Sequence, residues 1–430
     1  MINQAMRRLI AVSSLMLAIL ALTNGPRVHA QAVSIASVTG RVLDQSGAIV
    51  VGAQLKMTEV DTSAVHVAVT GADGSYNFPS LPIGAYMLEV TAPSFQTYIQ
   101  KGIRLQVNDA VQINVPLKVG AVSDKVEVQA DATMVQTQQN MVSQVMDQQR
   151  IVQLPLNGRD PTQLITISGA AVNHSDGTNT GNKSFYTSQS IAIAGSAGDT
   201  TNYLLDGGDN NDSFTNVNMP FPFPDALAEF SVETSVLPAR NGLHPGGLVN
   251  AVTKSGSNQW HGSAFEFVRN GDVNALNYFA TKQDSLKRNQ FGGTFGGRII
   301  RDKLFFFGGI QETIQRQDPS NSSAFIPTTA ALNGDFSGLE SGACQASGNA
   351  RTIKDPITGV SISPTDYINP TRFDPAAVAF TKLIPTGSAN SCGKLNYGVP
   401  VVYDARQYVA RVDWVLSGKH SIYGRYLQDN

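Results

Sequence analysis

The chain is poor in charge, in cysteine, in tryptophan and in long apolar runs. Charged residues make up 15% of its 430 residues and the formal net charge is −2. No basic block appears, which argues against a nucleic-acid partner. The two cysteines, Cys344 and Cys392, both come late, and the His and acid residues near them are too scattered to suggest zinc. None of the six histidines has Glu three positions on, so the His-x-x-Glu pair of a zinc peptidase is missing. No nucleophile constellation appears either, which disfavours an envelope hydrolase and predicts no catalytic residue and no cofactor.

The longest apolar run is at the N-terminus. Arg7 and Arg8 precede Leu9 to Leu22, a run of 14 residues. That is shorter than the ~20 a spanning helix needs. Asn24-Gly25-Pro26 breaks it, and Val28-His29-Ala30 supplies a small-x-small cleavage site. Residues 1–30 therefore read as a secretory signal peptide, with an uncleaved anchor as the alternative. Beyond it no stretch of 18 apolar residues remains. An exported chain without a transmembrane helix is periplasmic, released, or a β-barrel.

What is present points to strands. Gly 39 and Pro 20 accompany frequent Thr, Val and Asn, which favours an all-β chain. Val38 to Leu43, Val65 to Thr70, Tyr76 to Phe78 and Ala85 to Val90 are strand-like. Asp44-Gln45-Ser46-Gly47, Ala72-Asp73-Gly74-Ser75 and Leu81-Pro82-Ile83-Gly84 read as turns between them. This is the pattern of a small β-sandwich with Tyr76, Phe78 and Tyr86 in its core. His66 falls in a strand-like run and reads as a surface or half-buried residue.

Two stretches here carry a resemblance. Gly40-Arg41-Val42-Leu43-Asp44-Gln45-Ser46-Gly47-Ala48 and Asp73-Gly74-Ser75-Tyr76-Asn77-Phe78-Pro79-Ser80-Leu81-Pro82-Ile83-Gly84-Ala85-Tyr86 resemble the carboxypeptidase regulatory-like domain. The resemblance implies a prealbumin-like (carbohydrate-binding-like) sandwich over residues 33–118. Sugar binding is suggested only by the name of that fold.

Further on, the run Gly246 to Gly309 sets Gly-rich polar turns between short amphipathic, aromatic-rich segments. Each strand of an outer-membrane barrel needs such alternation, with lipid on one face and water on the other. The run resembles the plug-to-barrel junction of Oar-like TonB-dependent outer-membrane transporters. Leu154-Pro155-Leu156-Asn157-Gly158-Arg159 resembles their plug signature. Pro224 to Phe230 resembles their short plug helix, with a strand from Ser231 to Ser235. Residues 119–255 then read as a linker and an α+β plug. Asn202 to Leu205 followed by Asp206-Gly207 reads as a plug hairpin. The acid and amide cluster Asp206 to Asp212 lacks the EF-hand order and reads as hydrogen-bonded turns rather than a Ca²⁺ loop. Arg240, Lys254 and nearby acids are expected to touch the barrel wall. The resemblance also implies an extended segment that pairs with an edge strand of TonB. Val126, Glu127, Val128, Gln129 and Ala130 are the candidates, with an ordinary edge strand as the alternative.

Residues 256–430 lay out as five strands: 262–270, 289–300, 304–316, 405–416 and 421–428. Their connections run long, short, long, short, as when long loops lie outside and tight turns in the periplasm. In the fourth strand Tyr408, Ala410, Val412, Trp414 and Leu416 share one face, and Gln407, Arg411 and Asp413 the other. Tyr408 and Trp414 would sit about 20 Å apart at ~3.4 Å per residue, as aromatic girdles do. In the third, Phe306, Ile310 and Ile314 face lipid and Gln311, Thr313 and Gln315 the lumen. Glu312 and Arg316 fall on the lipid phase and are expected near the outer rim, unless the register slips there. Arg298 stands where the family has Pro, facing the lumen or the turn. Cys344 and Cys392 share the long outer loop, where an extracytoplasmic setting favours a disulfide. In the entropic account a bridge there stabilises the loop by up to about 4 kcal/mol.

The expectation is thus an all-β dominated chain: sandwich, α+β plug, and the first strands of an incomplete transmembrane β-barrel. Five strands cannot close in lipid, so the chain reads as the N-terminal part of a longer transporter. The function expected is that of a TonB-dependent outer-membrane receptor or transporter, not an enzyme. Its partners would be TonB, outer-membrane lipid and an unidentified extracellular ligand. Oligosaccharide, peptide and siderophore are all compatible as that ligand. The alternative is an outer-membrane adhesion or structural protein that binds without transport.

Overall fold

The computed structural model describes residues 35–129, 142–173, 190–235, 246–276, 283, 285–317, 322–355, 358–362, 367–386, 389–397, 400–418 and 420–430. The expected signal peptide, Ala130 and Arg240 lie outside the described residues. The chain divides into two compact units. The first takes the described residues up to Ser263 with Thr294–Gly309 and Tyr408–Gln428, and the second takes Ala264–Gly293, Ile310–Gln407 and Asp429–Asn430.

The first unit opens with a β-sandwich. Its strands are β1 (Ile35–Asp44), β2 (Gln54–Glu59), β3 (Val65–Val69), β4 (Ser75–Pro82), β5 (Gly84–Thr91), β6 (Thr97–Leu105), β7 (Ala110–Gln112), β8 (Val115–Leu117) and β9 (Lys125–Gln129). One sheet runs β4-β1-β7 with β8 also on β1, and the other runs β3-β2-β5-β6-β9. Alternation drives the assembly: in β2 Leu55 and Met57 are buried while Gln54 and Lys56 are exposed. Tyr76, Phe78 and Tyr86 fill the core with Val38, Leu88 and Ile103. Each such side chain contributes about 1.5–3 kcal/mol on burial. The Tyr76 hydroxyl donates to the Ile113 carbonyl at 2.7 Å. The expected turn at Leu81-Pro82 is corrected: β4 continues through both residues because Leu81 is buried and pairs with Ala36.

A second, mixed sheet follows. Its members are β10 (Val142–Asp147), β13 (Asn202–Leu205), β14 (Gly208–Asp209), β15 (Leu227–Ser235) and β16 (Leu248–Thr253), and β11 (Ala171–Asn173) and β12 (Ile191–Ile193) form a separate two-stranded sheet. The main sheet runs β10-β15-β16-β13-β14, with β13 and β16 parallel. Helix Gln148–Gln153 is capped by Asp147, whose side chain accepts from the Arg150 amide. It packs Ile151 onto Phe230, Val232 and Tyr203, together with Leu164 and Ile165 of helix Gln163–Ile167. The short helix expected over Pro224 to Phe230 is corrected. Only Pro224–Ala226 is helical, and β15 begins at Leu227, whose residues pair with β16 on one side and β10 on the other. Two ladders outweigh one more turn of helix.

The remaining long strands are β17 (His261–Asn270), β18 (Lys287–Ile300), β19 (Leu304–Gln317), β22 (Val401–Ser417) and β23 (His420–Asp429), in the sheet order β17-β18-β19-β22-β23. Between β19 and β22 lies the short pair β20 (Ser322–Phe325) and β21 (Lys394–Tyr397). Among the described residues the sheet is open, with β17 and β23 at its edges. Its phases are unequal. Phe305, Phe307, Val409 and Gln407 are buried, whereas Val412, Trp414, Leu416, Ile422 and Tyr426 are exposed. Among the described residues no helix is long and apolar enough to cross a membrane.

In the second unit, Glu312 and Arg316 keep the outward phase and are matched across to β22. Arg406 Nη2 lies 2.9 Å from Glu312 Oε1, and Arg316 grips Asp404 through two nitrogens at 2.5 and 2.9 Å. Cys344 and Cys392 are joined in a disulfide with Cα atoms 5.1 Å apart.

Candidate functional site

A buried polar cluster of the first unit forms where the mixed sheet meets the inward phase of β22 and β23. It is built on the β13–β14 hairpin. Asp206 and Gly207 both take positive φ, +52° and +80°, the backbone of a two-residue Asp-Gly hairpin turn. That turn carries the Asp206 carboxylate into a site where the residue is 1% exposed. The Thr253 amide donates to it at 2.8 Å and the Thr253 hydroxyl at 2.8 Å. Two wall arginines complete the shell: Arg411 Nη1 at 3.2 Å and Arg425 Nη1 at 2.9 Å. The Tyr423 hydroxyl donates to the Asp206 carbonyl at 3.1 Å. Arg411 also forks onto Asp413, with Nη2 at 2.8 Å, and lies 4.8 Å from the centre of the Tyr423 ring. Two cations and two carboxylates balance, so the charges are buried without an uncompensated one.

A second ion pair joins the turn Asn157–Arg159 to the turn Pro224–Ala226 just ahead of β15. Gly158 and Arg159 both adopt positive φ, +72° and +56°, which turns the Arg159 side chain inward onto Asp225 in a buried pair. Ser263 of β17 donates to Asp225 at 3.3 Å and shares a 2.8 Å hydrogen bond with Thr294 of β18. Burial lowers the Arg159 guanidinium below its usual range, and Asp225 opposes that shift. Burial likewise lowers the Lys254 ammonium, again opposed by Asp225. Gly256 lies so close to the wall that a Cβ would stand 2.4 Å from the Phe306 carbonyl oxygen and 2.5 Å from that of Gly297. Only glycine fits there.

The residues singled out from sequence fall in several places. Val126, Glu127, Val128 and Gln129 form β9, the edge strand of a sandwich sheet, paired in parallel with β6. Asp206 is the hub just described. Asp209 and Asp212 accept from the amides of Asn211, Phe214 and Thr215 as turn residues do. Arg298 turns to the loop before β17, donating to the Asn258 carbonyl at 3.0 Å. His66 is half-buried in β3. Sequence reasoning put Arg411 on the inward phase but found no partner for it, and it passed over Arg425. Their shared phase on consecutive strands was the available signal.

Two family models match the chain. Residues 37–118 match the family model of the carboxypeptidase regulatory-like domain, and residues 252–430 that of the outer membrane beta barrel domain. The TonB-dependent transporter Oar of Myxococcus xanthus is 27% identical over 297 residues, which cover 65% of this chain and 27% of that protein. The chain thus spans about a quarter of the length of that relative. Among solved structures, the siderophore receptor PirA from Acinetobacter baumannii is 15% identical with a TM-score of 0.36, over 67% of this chain and 31% of that one. The ferric enterobactin receptor PfeA from Pseudomonas aeruginosa is 15% identical with a TM-score of 0.34, over 67% and 32%. This chain is accordingly similar to the transporter Oar over 297 residues, with a carboxypeptidase regulatory-like domain ahead of the strands of an outer membrane beta barrel domain.

Proposed function

We propose that the chain supplies the periplasmic sandwich, the plug and the first wall strands of a TonB-dependent transporter. The mixed sheet, over about residues 142–255, is the plug. It carries its ligand on the outer side together with the loop between β19 and β22. The observation that supports this most is the convergence of Arg411 and Arg425, from the inward phase of two wall strands, on the single buried carboxylate of Asp206. A globular sheet tied by ion pairs to the polar face of an amphipathic wall is what a lumen plug requires. Its ties are hydrogen bonds and charge pairs that water can replace, so the plug can shift without unfolding the wall.

TonB contact falls to the segment Val126 to Ala130. Its described part, β9, is five residues long and among the described residues it pairs with β6 alone. An edge strand of this kind accepts strand addition. The test is co-purification of the periplasmic domain of TonB with the full-length transporter and with a form lacking Val126 to Ala130. Capture by the intact protein alone supports the assignment. Capture by both moves the contact elsewhere. Capture by neither favours an adhesion or structural protein of the outer membrane.

A further inference from the structure

The sandwich turn Gln106 to Asp109 reaches the mixed sheet. That turn is tightly built. The Gln106 amide donates to Asp109 Oδ2 at 2.7 Å, and the Ser37 amide donates to the Asp109 carbonyl at 2.7 Å. Asn108 at its tip has φ +63°, the left-handed conformation that Asn tolerates better than most residues. From this turn the Val107 amide donates to Glu229 Oε2 at 2.8 Å, and Asn108 Nδ2 donates to Glu233 Oε1 at 2.6 Å. Val107, Glu229 and Glu233 are all buried. Beside the contact lies a cavity of about 830 Å³, lined by Glu59 and Arg104 of the sandwich and by Glu229, Thr253 and Lys254 of the mixed sheet.

We propose that the 106–109 turn and the β15 carboxylates Glu229 and Glu233 form a clasp that holds the sandwich as a lid over this cavity. A carboxyl group buried against a backbone amide keeps its hydrogen bond only while that amide stays in place. On the plug reading given above, the clasp opposes plug movement until it opens.

The clasp is also sensitive to pH. Burial pushes Glu229 up to about 7, opposed by the Val107 amide and by Arg104 and aided by Asp109 and Asp147. Released into water the group returns to the ordinary carboxylate range. The closed form therefore binds the proton more tightly than the open one. Closure is strongest below about pH 4.5, weakens as pH rises towards 7, and is level above that. The closing equilibrium should change on the order of a hundredfold across that window.

The test is hydrogen exchange at Val107 in the full-length protein, compared with Glu229→Ala/Glu233→Ala and with Asn108→Ala. Exchange, corrected for intrinsic rate, should rise at least tenfold in the double variant and less in Asn108→Ala, with β2 and β5 unchanged. In the wild type it should rise from pH 5 to pH 8, and Glu229→Gln should flatten that dependence. Val107 protection unchanged in both variants would overturn the proposal. Should the double variant also lose protection in β2 and β5, Asn108→Ala decides, since it removes one surface-side bond. The readout needs neither TonB nor ligand, so its failure is separate from failure of the transport reading.

Discussion

At the scale of single residues the chain shows how a buried charge is made tolerable. Asp206 accepts from an amide, a hydroxyl and two guanidinium groups. Removing the carboxylate strands Arg411 and Arg425 in a site built for an anion. Asp206→Ala should destabilise the hairpin and its wall contact by about 3–5 kcal/mol. The measure is faster hydrogen exchange at Tyr203 to Leu205 and at Thr253, with the sandwich strands unaffected. Unchanged protection would mean that the ion pairs hold nothing. Tyr76 is a quieter case: Tyr76→Phe removes one hydrogen bond to Ile113 and should cost about 1 kcal/mol in thermal unfolding of the sandwich.

At the scale of elements, pairing decides more than local preference. The run after Pro224 has the look of a helix start, yet β15 is strand from Leu227 because it lies between β10 and β16. Similarly, Lys125–Gln129 adds to the sandwich sheet, where five parallel pairs with β6 and the Lys101–Glu127 ion pair at 3.0 Å hold it. Such exposed pairs are weak, and an edge strand this lightly held can be displaced. The loop between β19 and β22 depends on a covalent tie instead. Reducing Cys344–Cys392, or making Cys392→Ser, should cost the loop up to about 4 kcal/mol. It should speed proteolysis between residues 322 and 397 while leaving the sandwich resistant. Equal resistance before and after reduction would show that the short β20–β21 pairing suffices.

At the scale of the whole molecule the question is which face meets lipid. The sequence holds two tryptophans, Trp260 and Trp414, and they are 56% and 49% exposed. Trp260 stacks on Phe295 with ring centres 5.4 Å apart, on the outward phase of the wall. In bilayers with brominated acyl chains both should be quenched, and emission that ignores the bromine would mean that the wall does not face lipid. Alternation along the chain was enough to locate all five wall strands within a few residues of their observed ends. It also assigned Thr313 and Gln407 to the inward phase and Trp414 and Val412 to the outward one. These are local properties: a period of two is written in neighbouring residues. The sandwich core of Tyr76, Phe78 and Tyr86 was legible for the same reason. What remained hidden were partners far apart in the chain. Asp206 with Arg411 and Arg425, and Val107 and Asn108 with Glu229 and Glu233, are joined by folding across more than a hundred residues. Periodicity says which way a side chain points, but only the packing of one sheet against another says what it meets there.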